Sequence, residues 1–218
     1  MRRTILIALY AFALFAPIVA SAATAFTEEQ KADLRRLSDY LNGVHTLTAH
    51  FLQIGPDGTP QEGTFYLKKP GRLRFEYNKP SPILVLSNGS TIGVENTQLH
   101  TTDRYPILNS PLRVLLSNDV DLADDSRISA VTREPGALSV TARQESGPAQ
   151  GQITLTFADS GVTLELRQWQ VIDAQGMRTI VVVSDIKTGM ELDPKLFVIV
   201  DLNPYSRPYS RPDSHHGH

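Results

Sequence analysis

The chain contains no cysteine among its 218 residues. That absence excludes disulfides, thiolate zinc sites, iron–sulfur clusters and cysteine nucleophiles together. It also excludes lipid attachment at an N-terminal cysteine. There is no basic excess either: 21 Lys and Arg stand against 23 Asp and Glu, which disfavours a nucleic-acid partner. Beyond the N-terminus no apolar run is long enough for a membrane span, so a polytopic membrane protein is excluded. Catalytic signatures are missing as well. There is no Gly-x-Ser-x-Gly, no phosphate loop, no Gly-x-Gly-x-x-Gly and no His-Glu-x-x-His. No cofactor motif is present. What the chain does have is apolar content: at 41% hydrophobic residues it can bury enough surface to offset ordering entropy, and disorder throughout is excluded.

The first segment reads as an address. Arg2 and Arg3 precede an uncharged stretch from Thr4 to Val19, and Ala20-Ser21-Ala22 fits a small-x-small cleavage site. A basic start, a short apolar middle and this site predict a secretory signal peptide over residues 1–22. Its removal takes away two arginines and leaves 196 residues with 19 basic against 23 acidic side chains, one mildly acidic domain by length.

The mature chain opens on a helix. Thr27-Glu28-Glu29-Gln30 is a capping box, and Leu34, Leu37, Leu41 and Val44 then recur on one helical face. Residues 28–42 are therefore an amphipathic helix that must cover something. The period then changes to two. Strands are predicted over 47–54, 64–68, 72–77, 83–87 and 91–95, with Gly55-Pro56-Asp57-Gly58, Pro70-Gly71 and Asn88-Gly89 as turns. Residues 96–125 break the pattern. Ser110 as N-cap and Pro111 as first helical residue introduce a short helix over 112–117, where Leu112, Leu115 and Leu116 share a face. Strand signals return at 127–133, 138–144, 152–158, 163–171, 178–186 and 196–200. The sum is an α+β, mostly β chain: an antiparallel meander of about ten or eleven strands with helices at two points. Such a count suits a strongly curved sheet or an incomplete barrel. Residues 204–218, twice Pro-Tyr-Ser-Arg followed by a His-rich end, read as an extended or disordered tail.

Candidate chemistry is sparse. His45, His50 and His100 have no partner pattern for catalysis or metal binding. Asp119, Asp121 and Asp124 lack the glycine and the final acid of a calcium loop. Neither a catalytic set nor a metal site is expected. The basic cluster Lys68, Lys69, Arg72 and Arg74 brackets a turn. It pairs with an acidic partner or with helix-end carbonyls, or it forms a solvated sheet edge. Two small helices cover ten strands only marginally, and a marginal cover can open. That geometry suits a cavity for an apolar ligand.

Four segments carry a family resemblance, in order and at characteristic spacing. They are Ala49-His50-Phe51-Leu52-Gln53; Gly63 to Tyr77 through Lys68-Lys69-Pro70-Gly71-Arg72; Leu84 to Gly89; and Ser110-Pro111-Leu112 with Leu115-Leu116. With these the chain resembles the periplasmic outer-membrane lipoprotein carrier family, LolA, from about residue 28 to 200. The resemblance implies an unclosed antiparallel β-barrel of eleven strands, with a helical lid over an apolar cavity, spanning residues 23–203. It implies a periplasmic monomer that takes triacylated lipoproteins from an inner-membrane lipoprotein-releasing ABC transporter to a LolB-like outer-membrane receptor. The family's lid-latching arginine, directly before the proline of the second segment, corresponds to Lys69, which keeps the charge but loses the planar fork. Arg72 or Arg74 is the alternative latch. An exposed apolar residue implicated in transporter docking corresponds to Leu73. The acyl cavity is expected to be lined by Leu34, Leu37, Leu41, Phe51, Phe65, Leu67, Phe75, Val85, Leu112, Leu115 and Leu116. The LolB receptor shares the fold but needs a lipidated cysteine, which this chain lacks. A sensor or adaptor of the same fold and an exported hydrolase are the other readings. The first usually needs a second domain, and the second needs converging nucleophiles or carboxylates.

Overall fold

The computed structural model describes residues 25–107, 112–145 and 150–203. The signal segment, Ser110, Pro111 and the tail lie outside them. Helix α1 spans Glu28–Gly43. Its capping box is formed: the Thr27 hydroxyl accepts from the Gln30 amide, and the Gln30 side chain accepts from the Thr27 amide. Leu34, Leu37 and Leu41 of the predicted apolar face are at most 1% exposed, while Val44 caps the helix end and is half-buried. Each such leucine stabilises the helix's seat by about 1.5–3 kcal/mol.

Eleven strands follow: β1 (Thr46–Ile54), β2 (Pro60–Lys68), β3 (Arg72–Tyr77), β4 (Ile83–Asn88), β5 (Thr91–Asn96), β6 (Thr101–Pro106), β7 (Ile128–Glu134), β8 (Ala137–Gln144), β9 (Gly151–Asp159), β10 (Leu164–Asp173) and β11 (Arg178–Thr188). They form one antiparallel sheet in the order β6-β5-β4-β3-β2-β1-β11-β10-β9-β8-β7. The chain is thus two meanders joined through the β1–β11 pair, rather than one. β6 and β7 are the two edges and do not pair, so the barrel is unclosed. The sheet is nevertheless tightly curled. Trp169 on β10 packs at a tilt against Phe65 on β2, 5.4 Å between ring centroids, although three pairings separate those strands. A bulge where β1 meets β11, with Asp185 at φ 53°, adds to the bend.

Inward residues alternate with outward ones, and the inward set forms one apolar cluster with α1. Two expectations change. The polar segment Thr101–Pro106 is a strand, because its backbone pairs with β5 along its whole length although its side chains face water. Residues 196–200 are not a strand. Asp193 caps a 3₁₀ turn over Pro194–Phe197, and the chain then crosses the outside of the sheet as a strap. Successive strands hold this strap by side chain to backbone. The Thr46 hydroxyl donates to the Met190 carbonyl, Lys68 Nζ to Leu192, Arg74 to Leu196, and Thr102 to Val200. The buried Glu95 carboxylate accepts from the Val200 amide at 2.8 Å. Gly93 leaves the space that Ile199 fills: a Cβ there would lie 2.8 Å from the isoleucine side chain.

The second helix is shorter than the predicted 112–117. α2 covers Arg113–Leu116, and Leu112 stands at its N-cap position.

Candidate functional site

The site is built around the turn between β2 and β3. In that turn Lys69 is only 8% exposed. Its ammonium donates to the carbonyl of Leu41, in the last turn of α1, at 2.6 Å. The last turn of α1 carries no basic residue of its own. A cation is favourable there because the final carbonyls lack helical partners and hold the negative end of the helix dipole. Lys69 supplies that cation from another element. Of the readings open for the basic cluster, the one with helix-end carbonyls therefore describes Lys69. Burial pushes its amine down to about 8 from 10.5. Two positions on, the Gly71 amide donates to the Leu116 carbonyl of α2 at 3.0 Å. One three-residue turn thus ties down both helices, α1 by a side chain and α2 by the backbone. Gly71 must be glycine here: its φ is +72°, and a Cβ would meet the Gly89 backbone at 2.7 Å.

Arg72 and Arg74 do not join this latch. β3 alternates, and both fall on its outer face, away from α1. Arg74 holds Glu76 and the strap carbonyl of Leu196. Leu73 contradicts the expected exposed apolar residue. It is 2% exposed and faces inward with Phe75, because its register partner is the buried Leu67 of β2.

The other predicted cavity residues come together. Leu34, Leu37, Leu41, Phe51, Phe65, Leu67, Phe75, Leu115 and Leu116 belong to one buried cluster, and Val85 and Leu112 pack half-buried against it. They pack as core. A cleft of about 640 Å³ opens at the far ends of β2 and β3, lined by Pro60, Glu62, Pro80 and Pro82 among others. It is separate from the latch, which stands at the near ends of the same strands.

Sequence reasoning missed the other end of the lid. Asp33, 3% exposed, holds the guanidinium of Arg133 on β7 and lies 3.6 Å from Arg36. Arg36 in turn grips both oxygens of Asp159, at the end of β9, at 2.9 and 3.1 Å. Those contacts hold the Asp159 carboxyl down at about 2 from 3.8. The Tyr40 hydroxyl accepts from the Leu166 amide at 3.1 Å. The sole local signal was charge on the polar face of α1, which a solvated helix shows equally.

The arrangement is a curled apolar wall with two small helices tied to the β2–β3 turn by two hydrogen bonds, and the sequence that forms it matches a known family. Residues 42–200 fit the family described as "Outer membrane lipoprotein carrier protein LolA". The chain belongs to that family. It is 28% identical over 172 residues to the "Outer-membrane lipoprotein carrier protein" of Methylococcus capsulatus, a match covering 74% of this chain and 80% of that one. It is 29% identical over 192 residues to the protein so named in Pseudomonas aeruginosa, covering 84% and 91%. Among solved structures, the "LolA superfamily protein NE2245" of Nitrosomonas europaea aligns over 76% of this chain and 97% of that one, at 12% identity and a TM-score of 0.39.

Proposed function

We propose that the protein carries triacylated lipoproteins through the periplasm, from an inner-membrane lipoprotein-releasing ABC transporter to a LolB-like receptor in the outer membrane. The observation that carries this reading is the turn Lys69-Pro70-Gly71, which secures two small helices over a continuous apolar interior. Exposing acyl chain to water costs about 0.8 kcal/mol per methylene, so three bare chains would cost tens of kcal/mol. A carrier must cover them and later let them go. A cover held by side-chain hydrogen bonds and ion pairs, not by strand pairing, has two accessible states, and cargo favours the open one by differential contact. When the lid lifts, Leu34, Leu37 and Leu41 leave Phe51, Phe65, Leu67 and Phe75. Acyl methylenes then replace leucine methylenes against the same wall, so little apolar contact is lost. No covalent step is required.

Depletion in the native cell, followed by membrane fractionation, tests the reading. Outer-membrane lipoproteins should accumulate at the inner membrane, and triacylated lipoprotein should co-purify with the carrier. Normal sorting after depletion would overturn it.

A further inference from the structure

The latch turn holds α1 and α2 separately, so nothing in it makes the two helices move together. A second set of contacts does that. The side chain of Asn42, in the last turn of α1, pairs with the backbone of Val120 in both directions. Its Nδ2 donates to the Val120 carbonyl at 3.0 Å, and its Oδ1 accepts from the Val120 amide at 2.9 Å. One turn earlier, the buried Ser38 hydroxyl accepts from the Leu122 amide at 3.0 Å and donates to the Leu34 carbonyl at 2.8 Å. Val120 and Leu122 lie in the segment leading from α2 to β7, and both side chains are buried, at 7% and 0% exposure. Residues 120 and 122 thus pair with α1 through side chains that imitate a neighbouring strand.

The contacts close a ring. Lys69 joins the turn to α1, Gly71 joins it to α2, and Asn42 with Ser38 joins α1 to the segment that follows α2. We infer that Asn42 and Ser38 are positioning residues that make α1 and residues 113–122 one lid, which lifts as a unit. This rests on the carrier reading for its purpose and not for its evidence. An amide is well suited to the task, because it offers a donor and an acceptor side by side and satisfies both backbone groups of one residue. A unit lid uncovers the whole wall in one step. Independent helices would expose acyl chain piecemeal.

Three backbone amides report the ring directly: Gly71, Val120 and Leu122. Native-state hydrogen exchange on the full mature chain, followed by NMR with added denaturant, reads their openings. Lifting the lid as a unit breaks the Gly71–Leu116 bond but keeps the Asn42–Val120 and Ser38–Leu122 bonds inside the lid, so in the wild type Gly71 should open at a lower free energy than Val120 and Leu122, and below β1 amides such as Phe51. In Asn42→Ala residues 113–122 no longer carry α1 with them, so the Val120 and Leu122 amides should exchange roughly tenfold faster or more, and their openings should fall toward that of Gly71. Asn42→Asp can still accept from the Val120 amide but cannot donate to its carbonyl, so its effect should fall between. A merely structural role would instead lower the β1 openings along with the rest. Wild-type Val120 and Leu122 openings no higher than that of Gly71, or unchanged Val120 and Leu122 rates in Asn42→Ala, would overturn the inference. Should Asn42→Ala fail to fold, the wild-type comparison and Ser38→Ala decide by the same amides. No lipoprotein enters the measurement. A lid that opens as a unit in a protein that never holds lipoprotein would sink the carrier reading alone.

Discussion

Lys69 is a buried amine against the last turn of α1, and that has a physical consequence. A guanidinium stays charged at any working pH, whereas an amine can titrate. Burial brings the Lys69 amine to about 8, against an ordinary 10.5 in the unfolded chain and in any state that exposes it to water. The closed form therefore holds fewer protons than the open or unfolded forms between those values. Raising the pH from about 8 to about 10.5 favours closure and adds stability, and below 8 the full cost of a buried ammonium remains. The hydrogen bond to Leu41 opposes that cost, and a neutral amine can still donate it. Uptake of a fluorescent apolar probe should fall as pH rises through this window, and Lys69→Met should remove the dependence. Equal pH dependence in both proteins would take Lys69 out of the latch. The sequence showed a cation before a proline near a helix end; that this cation is buried against the helix's last turn is a tertiary fact.

Among the elements, β4 best separates pattern from context. Most strands alternate, since one face meets the core and the other meets water. Ile83-Leu84-Val85-Leu86 is apolar without a break. The strap explains it. Val85 faces the barrel interior, while Leu86 points outward, is 0% exposed and lies on the face that the 3₁₀ turn and Ile199 cover. Leu192 and Phe197, 6% and 3% exposed, bury their side chains outside the main cluster as well. Leu86→Ala should therefore cost about 2–5 kcal/mol in urea unfolding, the price of a core cavity. A loss within about 0.5 kcal/mol would mark an ordinary surface site and a loose strap. The same comparison shows what local reading can recover. β3 has the predicted ends because Arg72 to Tyr77 alternates strictly. β6 escaped because the polar Thr-Thr-Asp-Arg-Tyr-Pro carries no alternation. The strap was mistaken for a strand because an apolar extended run looks the same whether it lies along a sheet or across it.

For the whole molecule, the lid bridges elements that are far apart in sequence. Arg36 and Asp159 are 123 residues apart, as their hydrogen bonds span, and they bind α1 to the end of β9. With Asp33 and Arg133, this clamp secures the first half of α1 while Lys69 secures its end. Asp159 has its pKa depressed to about 2, first by the Arg36 hydrogen bonds. Its contribution is thus present above 3.8 and lost as pH falls from there through about 2. Asp159→Asn should narrow the difference from wild type across that window and leave it constant above. Acid titration of both proteins by circular dichroism checks this, and parallel curves would show that the clamp contributes nothing.

The amino-acid sequence by itself determined the capping box, the buried leucines of α1, the places of ten of the eleven strands, the unclosed-barrel family and the cation at position 69. Each depends on a neighbour within a few residues, on side-chain period, or on a short motif, and such features survive in one dimension. Tertiary structure alone decided that β1 pairs with β11, that Trp169 meets Phe65 across the interior, that Leu73 is sealed, that the strap lines a second face, and that Asn42 grips Val120. Those depend on which distant segments the curled sheet brings together. A lysine, an asparagine or an aspartate has the same local signature in solvent as in a latch, and only the partner it meets makes the difference.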